Sequence, residues 1–346
     1  MKNPDQSGPV MSRRAALAGL GATALSLAPW GAAHAARGQI VMANGGGKLG
    51  DAYQSAVLTP WSKNAGLEVV ATSNNPAQLK AMVEQKNMQW DVMQGPAEGM
   101  AVYAKQGLFE PIDYAVVDKS KLLPEAAQEF LVLTDFVAYC IGWNTKNVKS
   151  KPPQNWAELF AMPGRIGLWK RPFQTLEAAL LADGVPLNKL YPLDLDRAFA
   201  ALTKVRSKLL LWDTGAQGAQ FLIDGEVDAG AIWNGRVQEP KSSGAPVDFH
   251  FNQAVLISDA WAIPKGAPNK RKAMELLAYA TTAASQAAFA KIIPYGPTNP
   301  GALALLDDKT KAMLPNLGAT TTMLSIDYWA NNQVKAQERF DKWLLS

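Results

Sequence analysis

Cysteine and histidine are almost missing from this chain. Its single cysteine in 346 residues, Cys140, has no second thiol with which to close an internal disulfide. Two histidines, His34 and His250, are too few for a histidine-rich metal cage. The 34 basic and 30 acidic residues give a formal charge of +4 without any basic tract, which argues against nucleic acid as the main partner. No segment reaches the roughly 18 consecutive apolar residues that a membrane-spanning helix needs. No G-x-S-x-G elbow, H-E-x-x-H pair or Walker loop occurs. These absences leave catalysis little foothold, and neither a metal nor an organic cofactor is expected.

What is present begins with a leader. Ser12-Arg13-Arg14 precedes an apolar, Gly- and Ala-rich stretch over 15–28, and Ala33-His34-Ala35 supplies the small residues of a cleavage site. Residues 1–35 therefore read as an export signal that is removed. The paired arginines resemble the twin-arginine type, although ordinary secretory signals also carry two arginines. Cleavage takes away Lys2, Arg13, Arg14 and Asp5, so the net charge falls from +4 to +2. His34 leaves too, and any Ser-His-Asp or Cys-His catalysis would depend on His250.

The remaining length suits two domains of about 100–200 residues. A hydrophobic share of 48% against 18% charged is ordinary for a chain that packs a core, so disorder is excluded. Strand-like segments at 39–43, 67–72 and 91–94 alternate with helical periodicity over 51–64, 76–86 and 97–106. Tyr53, Val57 and Trp61 form one buried helix stripe, and Leu79, Met82 and Val83 another. Glu68-Val69-Val70-Ala71 reads as a strand buried on both faces, as in a parallel sheet covered by helices. A second series follows, with strands at 167–169, 209–212 and 229–233 and helices over 175–182, 195–207 and 216–224. Two apolar runs, 136–143 and 254–264, are too long for one compact strand and read as crossings between lobes. The hinge is expected near 142–145 and 254–261, and one long helix over 269–291 caps the first lobe. The expected architecture is α/β: two lobes, each a mostly parallel sheet flanked by helices, joined by a two-strand hinge. The first lobe takes 38–143 plus 257–302, and the second 144–256 plus 303–346. A monomer is expected.

Several residues are candidates for a site. Gly45-Gly46-Gly47-Lys48-Leu49-Gly50 follows a strand, opens a helix and formally satisfies G-x-G-x-x-G. A dinucleotide site would also need an acidic residue at the end of the second strand, where Val70-Ala71-Thr72-Ser73-Asn74 stands instead. The loop is then either a tight turn or a helix start whose amides, at Gly46 and Gly47, receive an anionic group. Trp233 ends a sheet strand and precedes an Asn234-Gly235 turn, where open α/β sheets bind ligands. It is either a core tryptophan or a wall for an aliphatic or cationic group. Gln94 and Trp169 also end strands, and Lys170-Arg171 follows Trp169, so Arg171 is either solvated or a clamp for a carboxylate. Asp259 lies inside an apolar run and needs a local turn or an outside charge to complete it. Cys140 reads as a small buried hydrophobe, and His250 as a strand residue.

The segment from about 108 to 300 resembles the periplasmic solute-binding proteins of ABC importers, of the spermidine/putrescine-binding type. The likeness is carried by Gly142-Trp143-Asn144-Thr145, Asn155-Trp156-Ala157-Glu158-Leu159, Gly225-Glu226-Val227-Asp228, Ile232-Trp233-Asn234-Gly235, Asp259-Ala260-Trp261-Ala262-Ile263-Pro264 and Pro294-Tyr295-Gly296-Pro297-Thr298-Asn299. The resemblance implies a type II periplasmic binding fold and a periplasmic location. It also implies an inner-membrane permease as partner and a small-molecule ligand held by Trp233, Asn234 and Tyr295. In that family the tryptophan packs against the ligand's carbon chain and the aspartate receives an ammonium, which fall on Trp233 and Asp259. Polyamine binders carry acidic residues where Lys170-Arg171-Pro172-Phe173-Gln174 stands, and an aromatic and acidic cluster where Asn44-Gly45-Gly46-Gly47-Lys48 stands. A ligand with one amine and one carboxylate, such as an ω-amino acid, is therefore expected over a long polyamine. Asp259 would hold its ammonium, and Arg171 with the glycine amides its carboxylate. The competing readings are a nucleotide-cofactor enzyme using residues 45–50 and an envelope interaction module.

Overall fold

The structure is a computed structural model, and it describes residues 38–346. The export signal expected at 1–35 lies outside the described residues. From its start the chain forms β1 (Gln39–Asn44), α1 (Gly47–Tyr53), β2 (Glu68–Ser73), α2 (Pro76–Glu84), β3 (Val92–Pro96) and α3 (Ala97–Lys105). Short strands β4 (Phe109–Glu110) and β5 (Val132–Leu133) lead to the long β6 (Asp135–Asn144). Then come β7 (Ile166–Trp169), α4 (Thr175–Ala182), β8 (Leu209–Trp212), α5 (Gly215–Asp224), β9 (Ala229–Trp233) and α6 (Asn234–Ser242). The return passes through β10 (Val247–Ile257) and β11 (Asp259–Pro264) to α7 (Lys270–Ala280), α8 (Ala283–Ile292) and β12 (Gly296–Pro297). β13 (Thr322–Met323) and the long α9 (Ile326–Leu345) close the chain.

Two sheets result. The first has the order β2-β1-β3-β11-β4 with β5 also on β11, and the second β13-β10-β6-β9-β7-β8 with β12 on β6. The expected parallel strands are there, with β1 between β2 and β3, and β7 between β8 and β9. The crossing strands run against them, so both sheets are mixed. β2 lies at a sheet edge, and of the run predicted to be buried on both faces only Val69 is buried. Each sheet has its own core. Met42, Leu58, Trp61 and Trp261 lie in the first, and Trp156, Leu176, Trp212 and Phe340 in the second.

The lobes part at two single residues. β5 belongs to the first sheet and β6 to the second, so the outward crossing is at Thr134. β10 still pairs with β6 at Ile257 and β11 pairs with β3 from Asp259, so the return is at Ser258. Gly142, placed at the hinge by sequence, is paired on both sides with Gly230 and Phe249 deep in the second sheet. Residues 135–143 therefore move from the first lobe to the second, and Ile257 with them. An apolar run does not show where it leaves one sheet, because both cores are apolar. The crossings are bonded to each other: Thr134 N donates to Asp259 O at 3.0 Å, and Ser258 Oγ to Asp135 O at 2.5 Å.

Further corrections concern the end of the chain. The long helix over 269–291 is two, because Thr282 caps a new helix through Ser285 N. Ala302, Leu306 and Leu314 pack on Ala287 and Ala290 of α8, so 303–314 sits with the first lobe instead of the second. α9 touches both lobes: Trp329, Phe340 and Trp343 enter the second core, while Lys105 of α3 bonds Asn331 at 2.9 Å.

β7 and β9 pair at Gly167 and Gly230, and a Cβ on Gly230 would meet Gly167 backbone atoms at 2.5–2.8 Å. Gly230→Ala should force the strands apart and cost about 1–3 kcal/mol. Urea unfolding checks this, and an unchanged midpoint would contradict the packing described.

Candidate functional site

Two carboxylates stand just past the crossings, Asp135 opening β6 and Asp259 opening β11. Asp135 is fully buried. It accepts hydrogen bonds from Tyr53 Oη at 2.5 Å, Thr134 Oγ1 at 3.3 Å and Asp259 N at 3.3 Å. Asp259 is half-buried, and Gln94 Nε2 donates to its Oδ1 at 2.7 Å. In the ladder Asp259 pairs with Pro96, and Ala97 N donates to Ser258 O at 2.9 Å, which brings Glu98 at the start of α3 alongside. On the other lobe Glu177, in the first turn of α4, is 0% exposed. Its Oε1 accepts from Tyr191 Oη and Trp329 Nε1, both at 2.7 Å, while Oε2 has no donor.

Among the described residues no lysine or arginine forms a salt bridge with any of these four acids. Burial accordingly favours their neutral forms. It pushes Glu98 up to about 7, with the Glu177 charge adding to the rise, and Asp135 and Glu177 each up to about 6. Asp259 is raised well above the ordinary carboxylate range, by burial first and then by the charges of Asp135 and Glu98. Such a group of acids is electrostatically incomplete, and a small cation would complete it.

A cavity of about 760 Å³ opens between the lobes, lined by Gly46, Gly47 and Lys48 from the first, Gly235 and Arg236 from the second, and Tyr295, with none of the four acids in its lining. Arg236 has no salt-bridge partner among the described residues. Lys48 Nζ meets Glu239 at 2.7 Å across the mouth, an exposed pair joining the lobes. Tyr295 stands between the two regions. Burial first, then the charges of Asp135 and Asp259, raise its hydroxyl, and Arg236 opposes them. Tyr295 thus links the group of acids to a cavity that carries an exposed, unpaired guanidinium.

Of the residues expected at the site, Gly46, Gly47 and Tyr295 line the cavity, while Gln94, Asp259, Trp169 and Trp233 lie outside its lining. Gln94, 2% exposed, links the glycine loop to the acid by accepting from Gly45 N at 3.3 Å and donating to Asp259. Gly46 and Gly47 line the cavity with φ of 65° and 60°, a conformation that favours glycine. The Gly46 amide is already taken by Asn44 Oδ1 at 2.9 Å, so it is not free for a ligand. Trp233 is half-buried, edge-on to Trp169 at 4.9 Å and to Trp212 at 5.0 Å, with its Nε1 bonded to Gln174 Oε1 at 2.8 Å. Tyr295 lines the cavity.

Two candidates do not hold as ligand contacts. Arg171 is exposed, faces Asp213 at 3.8 Å, bonds its own neighbour's carbonyl and lies outside the cavity lining. Asn234 is 0% exposed and its amide is spent on backbone, accepting from Ala138 N at 2.9 Å and donating to Pro294 O at 2.6 Å. It braces the 294–297 segment against β6. The residues that sequence reasoning missed are Asp135, Glu98, Glu177 and Arg236. Asp135 carried the same signal as Asp259, a carboxylate in an apolar crossing run, and Arg236 directly follows the Trp-Asn-Gly turn. Glu98 and Glu177 lie in first helical turns, where acids are ordinary.

Residues 56–319 match the family of bacterial extracellular solute-binding proteins, and the chain belongs to that family. It is 31% identical over 326 residues to a gamma-aminobutyric acid-binding protein of Pseudomonas aeruginosa, covering 90% of this chain and 92% of that protein. A solved GABA receptor superposes with a TM-score of 0.82 at 34% identity, covering 88% of this chain and 97% of the other. An ABC transporter substrate-binding protein from Bradyrhizobium japonicum gives a TM-score of 0.83 at 33% identity, covering 88% and 99%. The two-lobe fold is thus the type II periplasmic binding architecture.

The raised acids set a pH dependence. A carboxyl that holds its proton more tightly when folded contributes stability that is present below its unfolded value, near pH 4, and is lost as pH rises through the folded value. Asp259→Asn should therefore match the parent protein near pH 4 and become the more stable of the two as pH rises, by at most about 1.4 kcal/mol per pH unit. Thermal unfolding of ligand-free protein between pH 4 and 8 measures it. A constant difference across that range would mean that Asp259 carries no buried charge.

Proposed function

We propose that this chain is the binding component of an ABC importer that captures a small zwitterion, an ω-amino acid, in its interlobe cleft. The observation that carries the reading is a group of acids with no salt-bridging cation among the described residues, next to a cavity with an unpaired arginine, with Tyr295 under the influence of both. Asp259 receives the ammonium, with Asp135 behind it. Arg236 takes the carboxylate, in the role first given to Arg171, because it lines the cavity and has no competing acid. Trp233 walls the carbon chain. A long polyamine would carry further ammonium groups toward Arg236 and Lys48, whose like charge opposes it. The names of two relatives, a gamma-aminobutyric acid-binding protein and a GABA receptor, support the same ligand class.

Ligand binding draws the lobes together about Thr134 and Ser258, because only the closed form surrounds both ends of the solute. The closed form then delivers its ligand to an inner-membrane permease from the periplasm. Residues 1–35 act as a cleaved leader of the twin-arginine type. With Arg13 and Arg14 both changed to Lys, precursor should accumulate in the cytoplasm, and undiminished periplasmic protein on fractionation would return the leader to the general route.

Titration calorimetry with 4-aminobutanoate and with putrescine tests the binding. The zwitterion should bind the more tightly, and at a hundredfold excess over Kd it should stabilise the protein by about 2.7 kcal/mol. Arg236→Ala should weaken the zwitterion about 10–100-fold, the loss of one charge-assisted pair, without weakening putrescine. A preference for putrescine in the parent protein would overturn the zwitterion.

A further inference from the structure

The proposed function assigns one carboxylate, Asp259, to the ligand's ammonium, and the following step rests on that reading. An alkylammonium presents three N–H groups, and the atoms around Asp259 leave two of them without an acceptor of equal strength. Asp135 is already served by protein donors, the Tyr53 and Thr134 hydroxyls and the Asp259 amide. Glu98 differs. No side chain among the described residues donates to its carboxyl, whose only hydrogen bond comes from its own backbone amide. Its position follows from the sheet register, because α3 begins directly after Pro96, the ladder partner of Asp259. Its outlook follows from charge: it acts on Asp259 within its own lobe and is acted on by Glu177 of the other lobe. Glu177 is fully buried with Oε2 lacking a donor, and the half-buried Glu98 accepts from no side chain among the described residues.

We propose that Glu98 is a specificity-determining residue, a second carboxylate acceptor that with Asp259 clamps a primary ammonium and makes the cleft select R–NH₃⁺ over N-alkylated ammonium. The reasoning is one of hydrogen-bond inventory. A trimethylammonium group carries the same charge but no N–H, so it gains the electrostatic attraction and leaves Glu98 without a side-chain donor and Asp259 with only the Gln94 amide. Selection therefore resides in unsatisfied acceptors more than in pocket size. Glu98 stands on the first lobe and Glu177 on the second, so the ammonium also enters the field of both walls when the lobes close.

The test measures 4-aminobutanoate and its N,N,N-trimethyl analogue by calorimetry on the parent protein, Glu98→Gln and Glu98→Asp. The parent should prefer the primary amine by about tenfold or more. Glu98→Gln should lose about 10–100-fold in affinity for the primary amine and much less for the trimethyl compound, so that the preference collapses. Glu98→Asp should regain part of it. Ligand-free melting temperatures should not fall in either variant, which separates recognition from folding. Unchanged primary-amine affinity in Glu98→Gln would overturn the role of Glu98 while leaving the solute assignment standing. A parent protein that binds neither compound would sink both.

Discussion

Four carboxyl groups gather near the junction of two lobes with no salt-bridging cation among the described residues, and that imbalance governs the site. A buried carboxylate is costly unless it is bonded or neutralised. Two of the four, Asp135 and Glu177, are held by hydroxyl and indole donors, which satisfy oxygens without supplying charge. Asp259 has an amide from Gln94 and Glu98 has less. The protein thus tolerates the acids only by raising their proton affinity, and a solute cation removes that constraint.

The backbone explains why the acids gather there. Both crossings between sheets take place at a single residue, and the next residue in each case is an aspartate. Thr134 and Ser258 bond across to the opposite crossing, so the two aspartates are held side by side. Gln94 extends the arrangement to the glycine loop, which connects the acidic end of the cleft to the cavity carrying Arg236. Sheet topology, and no specialised loop, therefore sets the distance between the two poles.

Much of this was legible in the sequence, though unevenly. Alternating β and α periodicity gave two lobes, and the two long apolar runs revealed the crossings, because a run longer than one compact strand must serve two sheets. Asp259 stood out as a charge in such a run. The crossing residue itself did not, since Gly142 and Thr134 lie in equally apolar company and only pairing distinguishes them. Arg171 and Arg236 each follow a strand-ending tryptophan, and nothing local separates them. The difference is tertiary: Asp213 lies within 3.8 Å of the first, and no acid pairs with the second among the described residues. Asn234 misled for the opposite reason, because a turn asparagine reads as available until its amide is seen bonded to two distant backbone groups.

The last helix carries its own implication. α9 is rooted in the second core through Phe340 and Trp343, while its first turns pack Ile326 and Ala330 on the first core and reach α3 through exposed polar contacts of Lys105 with Asn331 and Asp327. Exposed ion pairs of that kind contribute roughly 0–1 kcal/mol and exchange readily with water. The apolar contacts decide the matter: anchored in both cores, the helix has to bend or repack Ile326 and Ala330 whenever one lobe moves against the other.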